Sequence, residues 1–328
     1  MKVSVVVPLY NEAENVEQLY RELFRVAEHE PRIAEMIFVD DGSVDTTFER
    51  LKAFCELDSR ATLIQLRRNF GQTAAMSAGF DAARGDVIVS MDGDLQNDPA
   101  DIPRLLDALD EGRDVVSGWR KDRKDPWLTR RVPSWFANKL IGKITGVRLH
   151  DYGCSLKAYR REVLDGVRLY GEMHRFIPSL TSWMGVKVAE LAVNHRPRVA
   201  GKSKYGLSRI LRVILDLINV KFLVSYSTRP IQVFGKIGIF AFLLGVLFGA
   251  ATIPMKLYMN YDITGNPFFM LGVLFILVSV QFVCIGLLGE INIRTYYELQ
   301  QKPTYVVRDT FRGGRGEADA PSPDRRER

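Results

Sequence analysis

The chain is poor in cysteine and histidine. Cys55, Cys154 and Cys284 are odd in number and dispersed through 328 residues. They offer neither a disulfide framework nor a C-x-x-C metal site, consistent with a reducing compartment. His29, His150, His174 and His195 have no ligand spacing. No G-x-G-x-x-G follows the first apolar run, which ends instead in Pro8-Leu9-Tyr10-Asn11-Glu12, so the dinucleotide fingerprint of a dehydrogenase is missing. Gly201-Lys202-Ser203 imitates the end of a phosphate-binding loop, but Arg196 stands where that loop needs its first glycine. Val3 to Leu9, interrupted by Ser4 and Pro8, is too short for a signal peptide.

What is present divides the chain in two. A mean hydropathy of −0.05 with 26% charged residues averages a polar, foldable N-terminal part with a C-terminal third holding two long uncharged runs, and excludes disorder of the whole chain. Ile237 to Met255 and Ile263 to Gly289 contain no charged residue. Each reaches the roughly 20 residues that cross a bilayer. The net charge of +6 is concentrated before them: from Arg196 to Lys236 there are nine Lys or Arg and one acid, Asp216. A basic block beside an apolar run fits an anionic membrane surface better than nucleic acid. Leu207 to Val224, rich in Leu, Ile and Val with Arg209, Arg212, Asp216 and Asn219 recurring at helical spacing, reads as a helix at the interface. The expected organisation is a folded N-terminal domain over 1–205, an interfacial helix over 206–229, membrane helices over 231–256 and 263–289, and a tail over 290–328 that is disordered from about 313. Basic outer flanks and a loop from 257 to 262 without Lys or Arg place the domain and both termini in the cytoplasm.

The first 200 residues alternate strand and helix patterns. Val3–Val7, Met36–Val39, Leu63–Leu66, Val87–Met91 and Val115–Ser117 read as strands. Ala13–Glu28, Thr46–Glu56, Thr73–Ala83 and a segment from Pro99 or Pro103 to Leu109 read as helices. This rhythm predicts an α/β fold with a mainly parallel sheet, whose ligands bind beyond the strands' carboxyl ends. Acidic motifs stand at those ends: Asp40-Asp41-Gly42-Ser43 after the second strand and Asp92-Gly93-Asp94-Leu95-Gln96 after the fourth. Alternate residues of an extended chain point the same way, so Asp92 and Asp94, helped by Gln96, can share one hard cation, Mg²⁺ or Mn²⁺.

Together with Arg68-Asn69-Phe70-Gly71-Gln72, these motifs resemble family 2 glycosyltransferases of the GT-A, Rossmann-like fold. Asp151-Tyr152-Gly153-Cys154-Ser155-Leu156-Lys157, His174-Arg175-Phe176-Ile177-Pro178 and Gly201-Lys202-Ser203-Lys204-Tyr205 are similar to the polyprenyl-phosphate branch. That branch includes dolichol-phosphate mannose synthases, undecaprenyl-phosphate glucosyltransferases and the formamido-arabinose transferase of lipid A modification. The resemblance spans about residues 1–308. It implies a metal-dependent, inverting transfer from a nucleotide sugar, with UDP-glucose or another UDP-sugar favoured, to undecaprenyl phosphate at the inner membrane. By position it assigns Pro8, Tyr10, Glu12, Asp40, Asp41, Asp92 and Lys204 to the nucleotide sugar, and Asp92, Asp94 and Gln96 to the metal. Arg120, Arg130, Arg131 and Ser134 fall to the lipid phosphate, while Asp151, Asp94 and Arg120 carry catalysis. A homotetramer is a further implication. Asp151 is the family's candidate base, yet a phosphate monoester already carries about −1.5 to −2 charges near pH 7. Asp151 therefore either removes a proton or orients a reactant.

Overall fold

The computed structural model describes residues 1–121, 138, 142, 147, 149–167, 169, 173–181, 185–197, 230–259, 262, 265–299 and 304–314. They form two compact units, residues 1–220 with 303–328, and residues 221–302. The sequence-predicted interfacial helix over 206–229 lies outside the described residues, as does the tail beyond 314.

The first unit is built on an eight-stranded mixed sheet. Its strands are β1 (Val3–Leu9), β2 (Ile33–Asp40), β3 (Ala61–Leu66), β4 (Val87–Ser90), β5 (Val115–Trp119), β6 (Lys157–Arg160), β7 (Val188–Ala192) and β8 (Val307–Arg312). They lie in the order β7-β5-β6-β4-β1-β2-β3-β8. β1 is parallel to β2 and β4, β2 to β3, and β5 to β7, whereas β6 and β8 run antiparallel to their neighbours. A Val-rich strand such as β1, buried at all seven positions, belongs in a sheet covered on both faces.

Helices α1 (Val16–His29), α2 (Thr47–Cys55), α3 (Gln72–Ala82) and α4 (Ile102–Asp110) connect successive strands. In α1 the buried residues Val16, Leu19, Tyr20, Leu23 and Ala27 recur at helical spacing and face the core. A 3₁₀ turn over Pro99–Asp101, begun by Asp98 accepting the Ala100 N–H, leads into α4. Short helices α5 (Arg161–Asp165) and α6 (Ile177–Leu180) follow β6, the second after a 3₁₀ turn at Met173–Phe176. Every strand and helix expected before Asp110 is present, although the strands are longer at one or both ends than their apolar runs, except for β4. Strands β6 to β8 were not expected.

β8 alters the reading of the tail as well. Residues 307–312, placed in a separate cytoplasmic tail by the sequence, pair with β3 and extend the catalytic sheet. Arg67 N–H donates to the Val306 carbonyl, Tyr305 Oη donates to Asp81 at 2.9 Å, and Phe311 meets Phe48 edge-on at 5.7 Å with the Lys52 ammonium 4.7 Å from its centroid.

The second unit pairs helices α7 (Pro230–Met259) and α8 (Pro267–Leu299). Both are long and apolar enough to cross a membrane, over Phe234–Tyr258 and Pro267–Gly289. Most of their apolar surface is exposed. Small residues let them pack closely: a Cβ on Gly245 would lie 2.8 Å from Ile276 and one on Gly272 would lie 3.0 Å from the Gly245 carbonyl. α8 starts at Pro267 rather than 263 because Asn266 caps it, accepting the Phe268 N–H at 2.9 Å, and proline suits the first helical position.

Phe311→Ala should loosen β8 and lower unfolding stability by about 1–3 kcal/mol, below the cost of a fully buried phenylalanine. Urea denaturation of the purified protein checks this.

Candidate active site

The sequence motifs converge beyond the carboxyl ends of β1, β2 and β4. Two residues there adopt left-handed backbone despite carrying side chains, Asn11 (φ 55°) after β1 and Leu95 (φ 61°) after β4. Such geometry is uncommon outside glycine and is held only where the surroundings enforce it. Around Asn11 the enforcement is visible: its N–H donates to Ser43 Oγ and its Oδ1 accepts the Val44 N–H, both at 2.9 Å. Pro8 is buried in β1, and Tyr10 and Glu12 are half-buried just beyond it. Glu12 accepts from Asn15 Nδ2 at 2.6 Å, and its N–H donates to Thr47 Oγ1 at 2.9 Å.

Asp40 and Asp41, adjacent in sequence, do different work. Asp40 Oδ1 accepts the Ser43 N–H at 3.2 Å, while Oδ2 is buried without a hydrogen bond among the described residues. Burial pushes its carboxyl up, the Ser43 hydrogen bonds opposing. Asp41 instead accepts the N–H groups of Phe70 and Gly71 at 2.8 and 2.9 Å, one on each oxygen. It thereby pins the loop between β3 and α3. The same loop presses on Gly42, whose φ is +67° and where a Cβ would sit 2.5 Å from the Arg68 backbone. Only glycine fits there.

Asp92 and Asp94 follow β4, the first half-buried and the second 7% exposed. Asp94 Oδ1 accepts the Gln96 N–H at 3.2 Å, shaping the turn. Asp92 accepts from Gln72 Nε2 at 2.6 Å, a contact the sequence reading missed although Gln72 ends one of the quoted motifs. Burial first, and the Asp94 carboxylate second, push the Asp92 carboxyl up. Among the described residues no three His, Cys, Asp or Glu side chains cluster as a metal site. Two close carboxylates nonetheless fit a hard divalent cation that takes its remaining oxygens from phosphate and water.

Across the sheet, Arg120 follows β5 and grips Asp151. Nε donates to Oδ2 at 2.7 Å and Nη2 to Oδ1 at 2.9 Å, the two-pronged geometry a guanidinium makes with a carboxylate. Gly153 N–H adds a second donor to Oδ1 at 3.1 Å. A Cβ on Gly153 would lie 3.1 Å from Arg120 Nη2, so a bulkier residue would crowd the fork. Burial alone would lower Arg120, but its bonds to Asp151 raise it further above its ordinary value. Behind the pair, Glu190 of β7 accepts the N–H groups of His150 and Asp151 and pairs with His150 Nδ1 at 2.7 Å. His150 stacks on Trp119 with centroids 4.5 Å apart.

His174 is buried against Thr73, its Nδ1 2.7 Å from the hydroxyl, and burial holds it neutral well below the usual imidazole range. It ties the turn at Met173–Phe176 to α3. Lys204, Arg130, Arg131 and Ser134 lie outside the described residues.

The sheet and its connections make a GT-A fold, and the chain belongs to glycosyl transferase family 2, whose pattern it matches over residues 4–168. It is 46% identical to dodecaprenyl-phosphate galacturonate synthase of Rhizobium johnstonii over 95% of this chain and 93% of that protein. It is 37% identical to undecaprenyl-phosphate 4-deoxy-4-formamido-L-arabinose transferase of Edwardsiella ictaluri, over 94% of each chain. Among solved structures, glucosyl-3-phosphoglycerate synthase of Mycobacterium tuberculosis, crystallised with Mn²⁺, UDP and glucosyl-3-phosphoglycerate, superposes with a TM-score of 0.54 at 19% identity, covering 67% of this chain and 78% of that one. The latter likeness shows the fold.

Asp40, Asp41 and Asp92 hold protons more tightly folded than an unfolded carboxyl does. Each contributes stability present in full below about pH 4 and lost as pH rises through its raised folded value. In EDTA, stability should fall across that window, and Asp92→Asn should flatten the slope. Urea denaturation at several pH values measures both.

Proposed function

We propose that this protein transfers a sugar from a UDP-sugar to a polyprenyl phosphate at the cytoplasmic face of the inner membrane. The observation that carries the reading is the joining, at one end of the sheet, of an acidic pair, Asp92 and Asp94, with a buried arginine fork on Asp151. Two helices of membrane length on the same chain supply a place for a lipid acceptor. The relative at 46% identity is named for galacturonate and the one at 37% for a formamido-pentose, so a UDP-uronate ranks beside UDP-glucose as donor.

In this reading Asp40 accepts from the nucleoside through its buried Oδ2, with Pro8, Tyr10 and Glu12 lining the same end. Asp41 keeps the Phe70–Gly71 loop in place, and Gln72, which opens α3 directly after it, orients Asp92. A divalent cation, Mg²⁺ or Mn²⁺, would be held by Asp92 and Asp94 with Gln96 nearby, and when bound would offset charge on the diphosphate. Arg120, with Arg130, Arg131 and Ser134, receives the lipid phosphate. A phosphate oxygen forms the new bond to the anomeric carbon from the face opposite the diphosphate, and the bond from that carbon to the diphosphate oxygen breaks, releasing UDP. Because the attacking phosphate is already anionic, no protein base is required. Asp151, with both oxygens engaged by Arg120, orients that arginine.

Mass spectrometry of lipids from membranes offered UDP-galacturonate, UDP-glucose and UDP-formamido-arabinose in turn should show one sugar-phosphate-polyprenol product, absent in EDTA. No lipid-linked product with any nucleotide sugar would refute the proposal.

Asp151→Asn separates positioning from general base catalysis. Positioning predicts a single-turnover rate loss below the roughly 10²–10⁴ range of a lost base, and a pH profile following the acceptor's second ionisation near 6 in both enzymes. A limb present in wild type and absent from the variant, with a larger loss, would assign the proton to Asp151.

A further inference from the structure

Lys157 is a charged residue in a place where lysine is costly. It opens β6 and is 2% exposed. The sheet pairs it with Ser90 of β4 on one side and Ser117 of β5 on the other, so the three side chains share a face. Two residues beyond Ser90 comes Asp92, and Arg120 follows the strand that carries Ser117. Its ammonium donates to the Tyr152 carbonyl at 3.2 Å. That carbonyl sits in the turn between Asp151, which grips Arg120, and Gly153, whose N–H completes the grip. The Tyr152 hydroxyl ties the turn to the Val147 carbonyl.

The charges around this ammonium are Asp151, Asp92 and Arg120, with His174 also within reach of its field. Burial pulls Lys157 down to about 8, Arg120 acting with it and Asp151 and Asp92 against it. Burial pushes the Cys154 thiol up to about 11, which keeps it neutral near pH 7. A buried cation costs several kcal/mol unless well paired, and an apolar residue of similar volume is often as stable or more so. Packing alone therefore gives poor reason for an ammonium here, whereas the acidic floor above it does.

We propose that Lys157 is a positioning residue for sugar transfer: it holds the Asp151–Gly153 turn through the Tyr152 carbonyl and sets a fixed positive charge beneath the acidic floor of the site. The turn keeps Asp151 in register with Arg120, and the charge tempers repulsion among the carboxylates. This inference rests on the transferase reading of the site, but one arm of its test needs no sugar.

The test uses the full chain in lipid nanodiscs, with Lys157→Met, which removes charge and donor, and Lys157→Gln, which removes the charge and leaves a shorter donor. Lys157→Met should melt at or above the wild-type temperature. Without nucleotide, both variants should bind Mn²⁺ about threefold or more tightly than wild type, since a neighbouring cation is gone. Single-turnover transfer should nevertheless slow about tenfold or more in Lys157→Met, because the fork loses its register. If Lys157→Met does not fold, Lys157→Gln decides through Mn²⁺ affinity and rate. Mn²⁺ affinity and transfer rate both within twofold of wild type in a folded variant would overturn the proposal. So would a rate loss that merely tracks a fallen melting temperature with Mn²⁺ affinity unchanged. Wild type that transfers sugar but binds no Mn²⁺ would refute the metal reading instead, leaving the rate arm to decide for Lys157.

Discussion

Gathering carboxylates at one buried end of a sheet is the constraint that shapes the rest of this domain. Asp40, Asp41, Asp94 and Asp151 are each 7% exposed or less, and Asp92 is half-buried beside Asp94. Like charges out of water are unstable without compensation. The surroundings supply it piecemeal, through loop N–H groups for Asp41, an amide for Asp92, a guanidinium for Asp151 and a buried ammonium beneath. The Gln96 N–H adds a donor to Asp94, while one oxygen of Asp40 stays buried without a hydrogen bond among the described residues.

The same compensation extends away from the chemistry. Asp98 receives Asn194 and Arg196, while Arg196 also pairs with Glu22 of α1 at 2.6 Å and donates its N–H to the Gln96 carbonyl. Although burial opposes it, these bonds hold the Asp98 carboxyl below the usual range. The loop bearing Asp92 and Asp94 is thus fastened by the segment that leads on toward the membrane helices in sequence. On the other side, β8 brings the chain that follows α8 back onto β3, next to the strand end that feeds the loop held by Asp41.

Much of this was legible in the residues. Val3–Leu9 and Val87–Ser90 are apolar runs closed by polar turns, and the acidic motifs that follow the second and fourth strands stand where the alternation of strand and helix places them, at the strands' carboxyl ends. The later strands were not legible, for local reasons. β6 is only Lys-Ala-Tyr-Arg, β7 reads Val-Ala-Glu-Leu-Ala, which favours helix, and β8 reads Val-Arg-Asp-Thr-Phe-Arg in a charged tail. Tertiary pairing, with Lys157 between Ser90 and Ser117, decides β6 where propensity does not. Individual roles were harder still. Asp41 had the right residue type for binding a nucleoside, yet its two oxygens brace a loop, a fact fixed only by where Phe70 and Gly71 fall in space.

The central claim is that an anionic lipid phosphate displaces the diphosphate directly, with the protein orienting rather than forming a bond to the sugar. The anomeric configuration of the purified lipid product, read by NMR against that of the nucleotide sugar, tests it most directly. Direct displacement predicts inversion at the anomeric carbon. Retention would require a covalent intermediate or front-face attack and would contradict the account.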